Sequence, residues 1–330
     1  MLRRALGFDD DGGVGAARHL RLTGLALAAA AGLAIALGLA DPAAASTAAV
    51  LAEGAELSVG AAVILGLVEG LTEYLPVSST GHLLIATELM GLATTEESER
   101  ALDTYAICIQ AGAILAVLVL YRERIRQMLN GLFGRSDDGR HVLIGIIAAF
   151  VPTAVIGLLL VDEVRGRLFG VSPVAAGWLV GGLAILALTR SGLLQRAGTE
   201  LASITVRQAI LIGVAQSIAL WPGVSRSLVT IVAGVLVGLS LAAAVEFSFL
   251  LGLITLGAAT FLTAADDGAQ LVDLFGWWTP LIGLVVAFLA AVASVKWMVA
   301  WLQERSLDVF GFYRIAVGLI AFGLVAVELL

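Results

Sequence analysis

Charge is scarce in this chain. Asp, Glu, Lys and Arg together make up 14% of its 330 residues, against 60% apolar types; a soluble domain is about a quarter charged. Lys296 is the only lysine, so positive charge rests on scattered arginines, and the formal net charge is -7. No basic patch is present for a nucleic-acid backbone, which argues against such a partner. Cys108 is the only cysteine. It excludes an internal disulfide, and no Cys/His zinc spacing exists.

What is abundant is apolar sequence, in separate blocks. Each is long enough to cross a bilayer core of ~30 Å at about 1.5 Å per residue. Six strong blocks fall at roughly 103–121, 141–161, 172–189, 244–263, 278–300 and 310–329. Two more, at 57–92 and 207–239, are broken near the middle by Tyr74-Leu75-Pro76-Val77-Ser78-Ser79-Thr80-Gly81-His82 and by Trp221-Pro222-Gly223-Val224-Ser225-Arg226-Ser227. Proline ends a helix near the residue before it, and Ser or Thr caps the next one. Each stretch therefore reads as helix, turn, helix, with the turn at membrane depth. Irregular backbone survives there only when buried in protein or lining a wet cavity. The expectation is an all-α integral membrane protein with six core transmembrane helices and two re-entrant helical hairpins.

Ahead of these blocks come Arg3, Arg4, Arg18 and Arg21, an apolar run over 22–39, and a small-residue run ending near Ser46. This pattern fits a signal peptide or an uncleaved signal anchor over 1–50, leaving 51–330 as the membrane domain. The positive-inside rule sets the topology. Arg122, Arg124, Arg126, Arg135 and Arg140 place one loop in the cytoplasm, and Arg190, Arg196 and Arg207 another. The mixed set Asp162, Glu163, Arg165 and Arg167 lies in the loop between them, and the acidic loop near Asp266, Asp267 and Asp273 falls outside. The count closes only if the first hairpin enters from outside and the second from the cytoplasm. A shift of 147 residues lays Gly66 on Gly213, Glu69 on Gln216, Val77 on Val224, Ser78 on Ser225 and Gly91 on Gly238. Three spans lie between the copies, so they are inverted, with halves of roughly 57–161 and 207–300. Inverted repeats with interrupted helices place their site at the repeat interface near the midplane.

The polar residues inside these hairpins carry the chemistry. Glu69 and Glu73 are four apart and share one helix face. Two carboxylates at membrane depth are expensive. They make sense if a divalent cation sits between them and an anionic substrate, or if one holds a proton or a histidine; Mg²⁺ and Ca²⁺ take such oxygen ligands. Ser78, Ser79 and Thr80 follow the proline turn, where free helix amides hold phosphate. His82 lies one turn beyond Ser79, and an imidazole is the usual base for a hydroxyl nucleophile. Arg226, flanked by Ser225 and Ser227, needs an anion to face, and its planar fork suits phosphate. A salt bridge to Glu69, Glu73 or Glu246 is the structural alternative. Gln216, Glu246 and Ser248 are weaker supporting candidates, and Tyr313-Arg314 reads as an interface anchor.

The two islands together resemble the undecaprenyl-diphosphate phosphatases of bacterial inner membranes, the bacitracin-resistance proteins. The matching segments are Glu69-Gly70-Leu71-Thr72-Glu73-Tyr74-Leu75-Pro76-Val77-Ser78-Ser79-Thr80-Gly81-His82 and Trp221-Pro222-Gly223-Val224-Ser225-Arg226-Ser227, with Gln110-Ala111-Gly112 and Glu246-Phe247-Ser248 also similar. Leu228 departs from the glycine usual in the family. The resemblance implies hydrolysis of undecaprenyl diphosphate to the monophosphate, which recycles the cell-wall lipid carrier and confers bacitracin resistance. It implies a divalent metal and a site open to the outer face of the plasma membrane. Glu69 and Glu73 then match the acidic, metal-holding motif, Ser79 the nucleophile, His82 the base and Arg226 the phosphate-binding arginine. Ser78, Thr80, Ser225 and Ser227 would support substrate binding. Attack by water, with Ser79 only positioning, stays open, as does a homodimer. The rival classes are a polyprenyl-phosphate flippase and a lipid-diphosphate binding protein without turnover.

Overall fold

The computed structural model describes residues 57–92, 95–195 and 197–330; the address or anchor segment expected at 1–50 lies outside the described residues. Eleven helices are found among them: α1 Val59–Thr72, α2 Ser79–Leu89, α3 Glu96–Leu120, α4 Arg122–Leu132, α5 Asp137–Leu168, α6 Val171–Arg190, α7 Val206–Gln216, α8 Arg226–Leu236, α9 Leu241–Phe275, α10 Trp278–Glu304 and α11 Asp308–Ala326. Short 3-10 turns lie at Leu193–Gln195, Leu201–Ser203 and Ser217–Leu220. Six helices are long and apolar enough to cross a membrane: Ser98–Leu120, Asp137–Leu160, Val171–Arg190, Leu241–Phe275, Trp278–Glu304 and Asp308–Ala326. They overlie the six apolar blocks. Large apolar side chains such as Leu158, Leu159, Phe261 and Trp278 stand exposed on their outer faces, as lipid contact requires and water does not favour. The protein is an all-α integral membrane protein.

Local chemistry sets the helix ends. Ser58 starts α1 by accepting from the Ala61 amide, and Thr205 starts α7 through a capping box with Gln208. These caps stand 147 residues apart, like the turns they precede. Three expected loops are helical. The arginine-rich segment forms the amphipathic α4, Glu163 and Arg167 pair one turn apart within α5 at 2.6 Å, and Asp266, Asp267 and Asp273 lie inside α9. Charged residues still favour helix where it runs past the apolar block, because i,i+4 pairs and intrahelical hydrogen bonds continue into water.

The short helices pack crosswise: α1 lies on α10, and its repeat partner α7 lies on α5. Both contacts depend on glycine. A Cβ at Gly70 would overlap the Ala287 carbonyl oxygen, and one at Gly213 the Ala149 carbonyl oxygen. Such close backbone approach is how membrane helices gain packing without a hydrophobic drive. Gly70→Val is therefore expected to lower stability by about 3 kcal/mol, at the upper end of ordinary overpacking. Thermal unfolding in detergent micelles measures this. Gly60→Ala, whose nearest neighbour is the Ser58 hydroxyl 3.8 Å away, is the control and should leave the midpoint unchanged.

Candidate active site

Two turns at the ends of short helices build the site. The first, residues 73–78, joins α1 to α2; the second, 221–225, joins the turn after α7 to α8. Pro76 and Pro222 break the helices. The chain re-enters helix through Ser78 (φ 75°) and Ser225 (φ 76°), both left-handed although neither is glycine. This matched geometry at matched positions sets Ser79 and Arg226 as the first residues of α2 and α8.

The turns meet at one carboxylate. Glu73 Oε1 accepts from Arg226 Nη2 at 2.9 Å, and Glu73 Oε2 accepts from the Ser79 hydroxyl. Arg226 Nη1 donates to the Ser248 carbonyl at 2.9 Å, and the guanidinium carbon lies 5.6 Å from the centre of the Tyr74 ring. Ser227 Oγ bridges back to the Leu75 carbonyl at 2.8 Å, tying the second turn to the first. The ion pair is nearly buried, at 11% and 6% side-chain exposure. Removing one member of such a pair is costly, because the other charge is left unpaired in a low-dielectric site.

A cavity of about 430 Å³ opens beside this pair. Glu73, Ser79, Arg226, Thr80, Gln110 and Gln216 give it a polar floor, and Ser78 and Ser225 also line it. Its remaining walls are mostly apolar side chains of α5 and α9, including Leu158 and Leu262, with Thr153, Thr255 and residues 219–222 completing the lining. A charged head and an apolar tail would each find matching surface here.

Glu69 stands one turn behind Glu73, fully buried, and neither carboxylate oxygen has a hydrogen-bond partner. Gln110 and Ser79 are its polar neighbours. A buried carboxylate left this way faces a large desolvation penalty, which a cation would offset. With Glu73, Ser79 and Gln110 nearby, the donors are all hard oxygens of the kind Mg²⁺ and Ca²⁺ take. Among the described residues no group of three His, Cys, Asp or Glu side chains could hold a metal alone. Mg²⁺ in particular needs no such cage, since one or two carboxylates plus substrate phosphate and water suffice. The residues fit the expected divalent cation.

The expected pair of Ser79 with His82 does not form. His82 Nδ1 lies 2.7 Å from the Ser78 carbonyl and Nε2 lies 2.8 Å from the Tyr313 hydroxyl. The ring packs on Trp178 and stacks on Tyr313, away from the cavity. Residue 82 lies only about 60° round the helix from Ser79, but its ring folds back onto the carbonyl four residues earlier and is held there by Tyr313. A carbonyl only accepts, so Nδ1 carries the hydrogen and Nε2 accepts from Tyr313.

Tyr313-Arg314 is not an interface anchor. Arg314 is fully buried and donates to the carbonyls of Pro76, Gly177, Gly223 and Val224 at 2.7–3.1 Å. Irregular turns buried in protein leave carbonyls unserved, and the guanidinium serves three of them. The signal was available: Arg314 is an arginine inside an apolar span, the same anomaly that singled out Arg226. Of the weaker candidates, Ser248 holds Arg226, Gln216 donates to Thr153, and Glu246 pairs with Arg124 at 2.6 Å rather than with Arg226.

A membrane-embedded cavity with an arginine–glutamate pair and a carboxylate-bound serine hydroxyl defines an anion-handling integral membrane protein. Comparison with known proteins narrows the class. The family model of the bacitracin resistance protein BacA matches residues 62–320, and the chain belongs to that family. It is 44% identical over 260 residues to an undecaprenyl-diphosphatase of Sorangium cellulosum, covering 78% of this chain and 83% of that protein. Undecaprenyl-diphosphatase 3 of Acinetobacter baylyi is 40% identical over 260 residues, with 78% and 95% covered. Undecaprenyl-diphosphatase 1 of Chromobacterium violaceum is 39% identical over 270 residues, with 79% and 94% covered.

Proposed function

We propose that this chain hydrolyses undecaprenyl diphosphate to undecaprenyl phosphate and inorganic phosphate, as the names of its relatives indicate for them. Returning the carrier to cell-wall synthesis and countering bacitracin would follow. The carrying observation is that Glu73 joins the Ser79 hydroxyl to the Arg226 guanidinium at the cavity wall. The diphosphate enters with its terminal phosphate against Arg226 and the amides at the start of α2, and the lipid tail runs along the apolar walls. Glu73 Oε2 takes the Ser79 proton as Oγ attacks the terminal phosphorus. The bond from that phosphorus to the bridging oxygen breaks, and undecaprenyl phosphate leaves. Water then cleaves the phosphoserine, releasing phosphate. Arg226 stabilises charge on the transferring phosphoryl oxygens, where preorganised electrostatics do most of the work. Glu69 and Glu73, with Ser79 and Gln110, would hold the divalent cation. When bound, it would neutralise phosphate charge and polarise the transferring group.

The cavity lining supports an outward-facing site. Phe150, Gly157, Leu158, Ala259 and Leu262 belong to the parts of α5 and α9 that run toward the acidic Asp266–Asp267 segment. Arginine-rich α4 and the start of α5 lie at the other end. With the positive end in the cytoplasm, the cavity opens to the outer side of the bacterial plasma membrane, and both hairpins are re-entrant.

Purified protein in detergent is expected to release phosphate from farnesyl or undecaprenyl diphosphate. A chelator should suppress the rate at least ~10-fold, and Mg²⁺ or Ca²⁺ should restore it. Folded protein that moves labelled lipid phosphate across liposomes yet releases no phosphate would replace this reading with the flippase. A rate indifferent to chelator would remove the metal alone.

A further inference from the structure

We propose that Tyr313 and Arg314 of α11 are positioning residues of the site, holding both turns in register so that Ser79 and Arg226 meet across the cavity. The catalytic part of this inference rests on the phosphatase reading above. The contacts themselves do not.

The two left-handed serines supply the first reason. Non-glycine residues in that conformation are strained, and they persist only where the surroundings over-determine them. Ser225 has local help, since its hydroxyl accepts from the Leu228 amide at 3.3 Å and pairs with Ser227. Ser78 makes no such capping bond. What holds it is the His82 ring on its carbonyl, and what holds the ring is the Tyr313 hydroxyl. A hydroxyl on α11 thus fixes the residue immediately before the nucleophile.

The next residue grips both halves at once. Arg314 Nη1 takes the Pro76 carbonyl of the first turn at 3.0 Å, while Nη2 reaches Gly223 at 2.7 Å and Val224 at 3.1 Å in the second. Val224 lies two residues before Arg226. One planar group therefore spans the two turns whose side chains must converge on Glu73. No other side chain among those hydrogen bonds reaches the backbone of both turns. Space is reserved for it: a Cβ at Gly181 on α6 would overlap the guanidinium. Trp178 on the same helix donates to the Val77 carbonyl at 2.8 Å, bracing the first turn from the other side.

Neither residue lines the cavity, so each acts through position. Misplacement of a reacting group by about 1 Å costs ~100-fold in rate. Arg314→Lys keeps a charge but loses the planar fork, so kcat should fall about 100-fold with KM little changed. Tyr313→Phe removes one hydroxyl and should cost about 10-fold in kcat. In a His82→Ala background the Tyr313→Phe change should add less than about twofold, because coupled partners are non-additive. Equal losses in both backgrounds, or none, would overturn the proposal.

A second readout needs no turnover. The chain has three histidines, His19, His82 and His141, so ¹⁵N-histidine labelling gives three rings, and His82→Ala identifies one. The wild-type His82 ring should carry its hydrogen on Nδ1, and Tyr313→Phe should shift the Nε2 resonance. An Nε2-protonated ring in wild type, or one indifferent to Tyr313→Phe, sinks the clamp whether or not the protein is a phosphatase. Should Arg314→Lys fail to fold, the Tyr313→Phe measurements decide alone.

Discussion

Arg226→Ala is expected to lower kcat/KM for a polyprenyl diphosphate by about 1,000-fold or more, the range seen when a transition-state arginine is withdrawn from phosphoryl transfer. The structure gives two reasons. The guanidinium is the only cationic group among the residues lining the cavity, so the transferring phosphoryl charge loses its nearest countercharge. The Glu73 carboxylate, at 6% side-chain exposure, also loses its ion partner, and stranding such a charge costs about 3 kcal/mol or more. The stability loss should appear as a lower thermal midpoint, measured separately from rate. Arg226→Lys separates charge from shape. A lysine could face Glu73 or the Ser248 carbonyl but not both with the geometry of Nη1 and Nη2, so the fold should recover more than the rate. Folded Arg226→Ala protein within tenfold of wild type would take the arginine out of the reaction.

How far the sequence alone reached depends on which forces acted locally. Glu69 and Glu73 lie four apart, and Pro76 and Pro222 each stand beside polar residues that break an apolar stretch, unlike Pro152 within α5, so the helix–turn–helix units were legible. Arg226 was legible because a charge in an apolar stretch demands a partner. Direction was not. How α2 is aimed relative to Glu73 depends on the left-handed Ser78 (φ 75°), and nothing in a Ser-Ser-Thr run announces that a non-glycine residue will take that conformation. Contacts between distant segments were equally hidden. His82 meets Tyr313 across 231 residues, and Arg314 meets Pro76 across 238. The polar ends of α5 and α9 read as loops because charge was taken for an end of helix, when it marks only the end of the apolar span.

That change of direction favours Glu73 as the base in the proposed reaction. The Ser79 hydroxyl already donates to Glu73 Oε2, while both His82 nitrogens are engaged elsewhere. Glu73→Gln is therefore expected to lower kcat by about 1,000-fold, within the usual range for loss of a general base. Glutamine keeps the volume, and its amide oxygen can still accept from Arg226, but the guanidinium loses its ion partner, so the thermal midpoint should fall and is measured separately from rate. KM should stay level or fall, because Arg226 no longer divides its charge between an internal carboxylate and the incoming phosphate. His82→Ala leaves the Ser79–Glu73 contact chemically intact and disturbs only its placement, so its loss should be smaller, about 10- to 100-fold. The ordering is the test. If His82→Ala costs more in kcat than Glu73→Gln, with both proteins folded, the proton goes to the imidazole and the turn must rearrange when substrate binds.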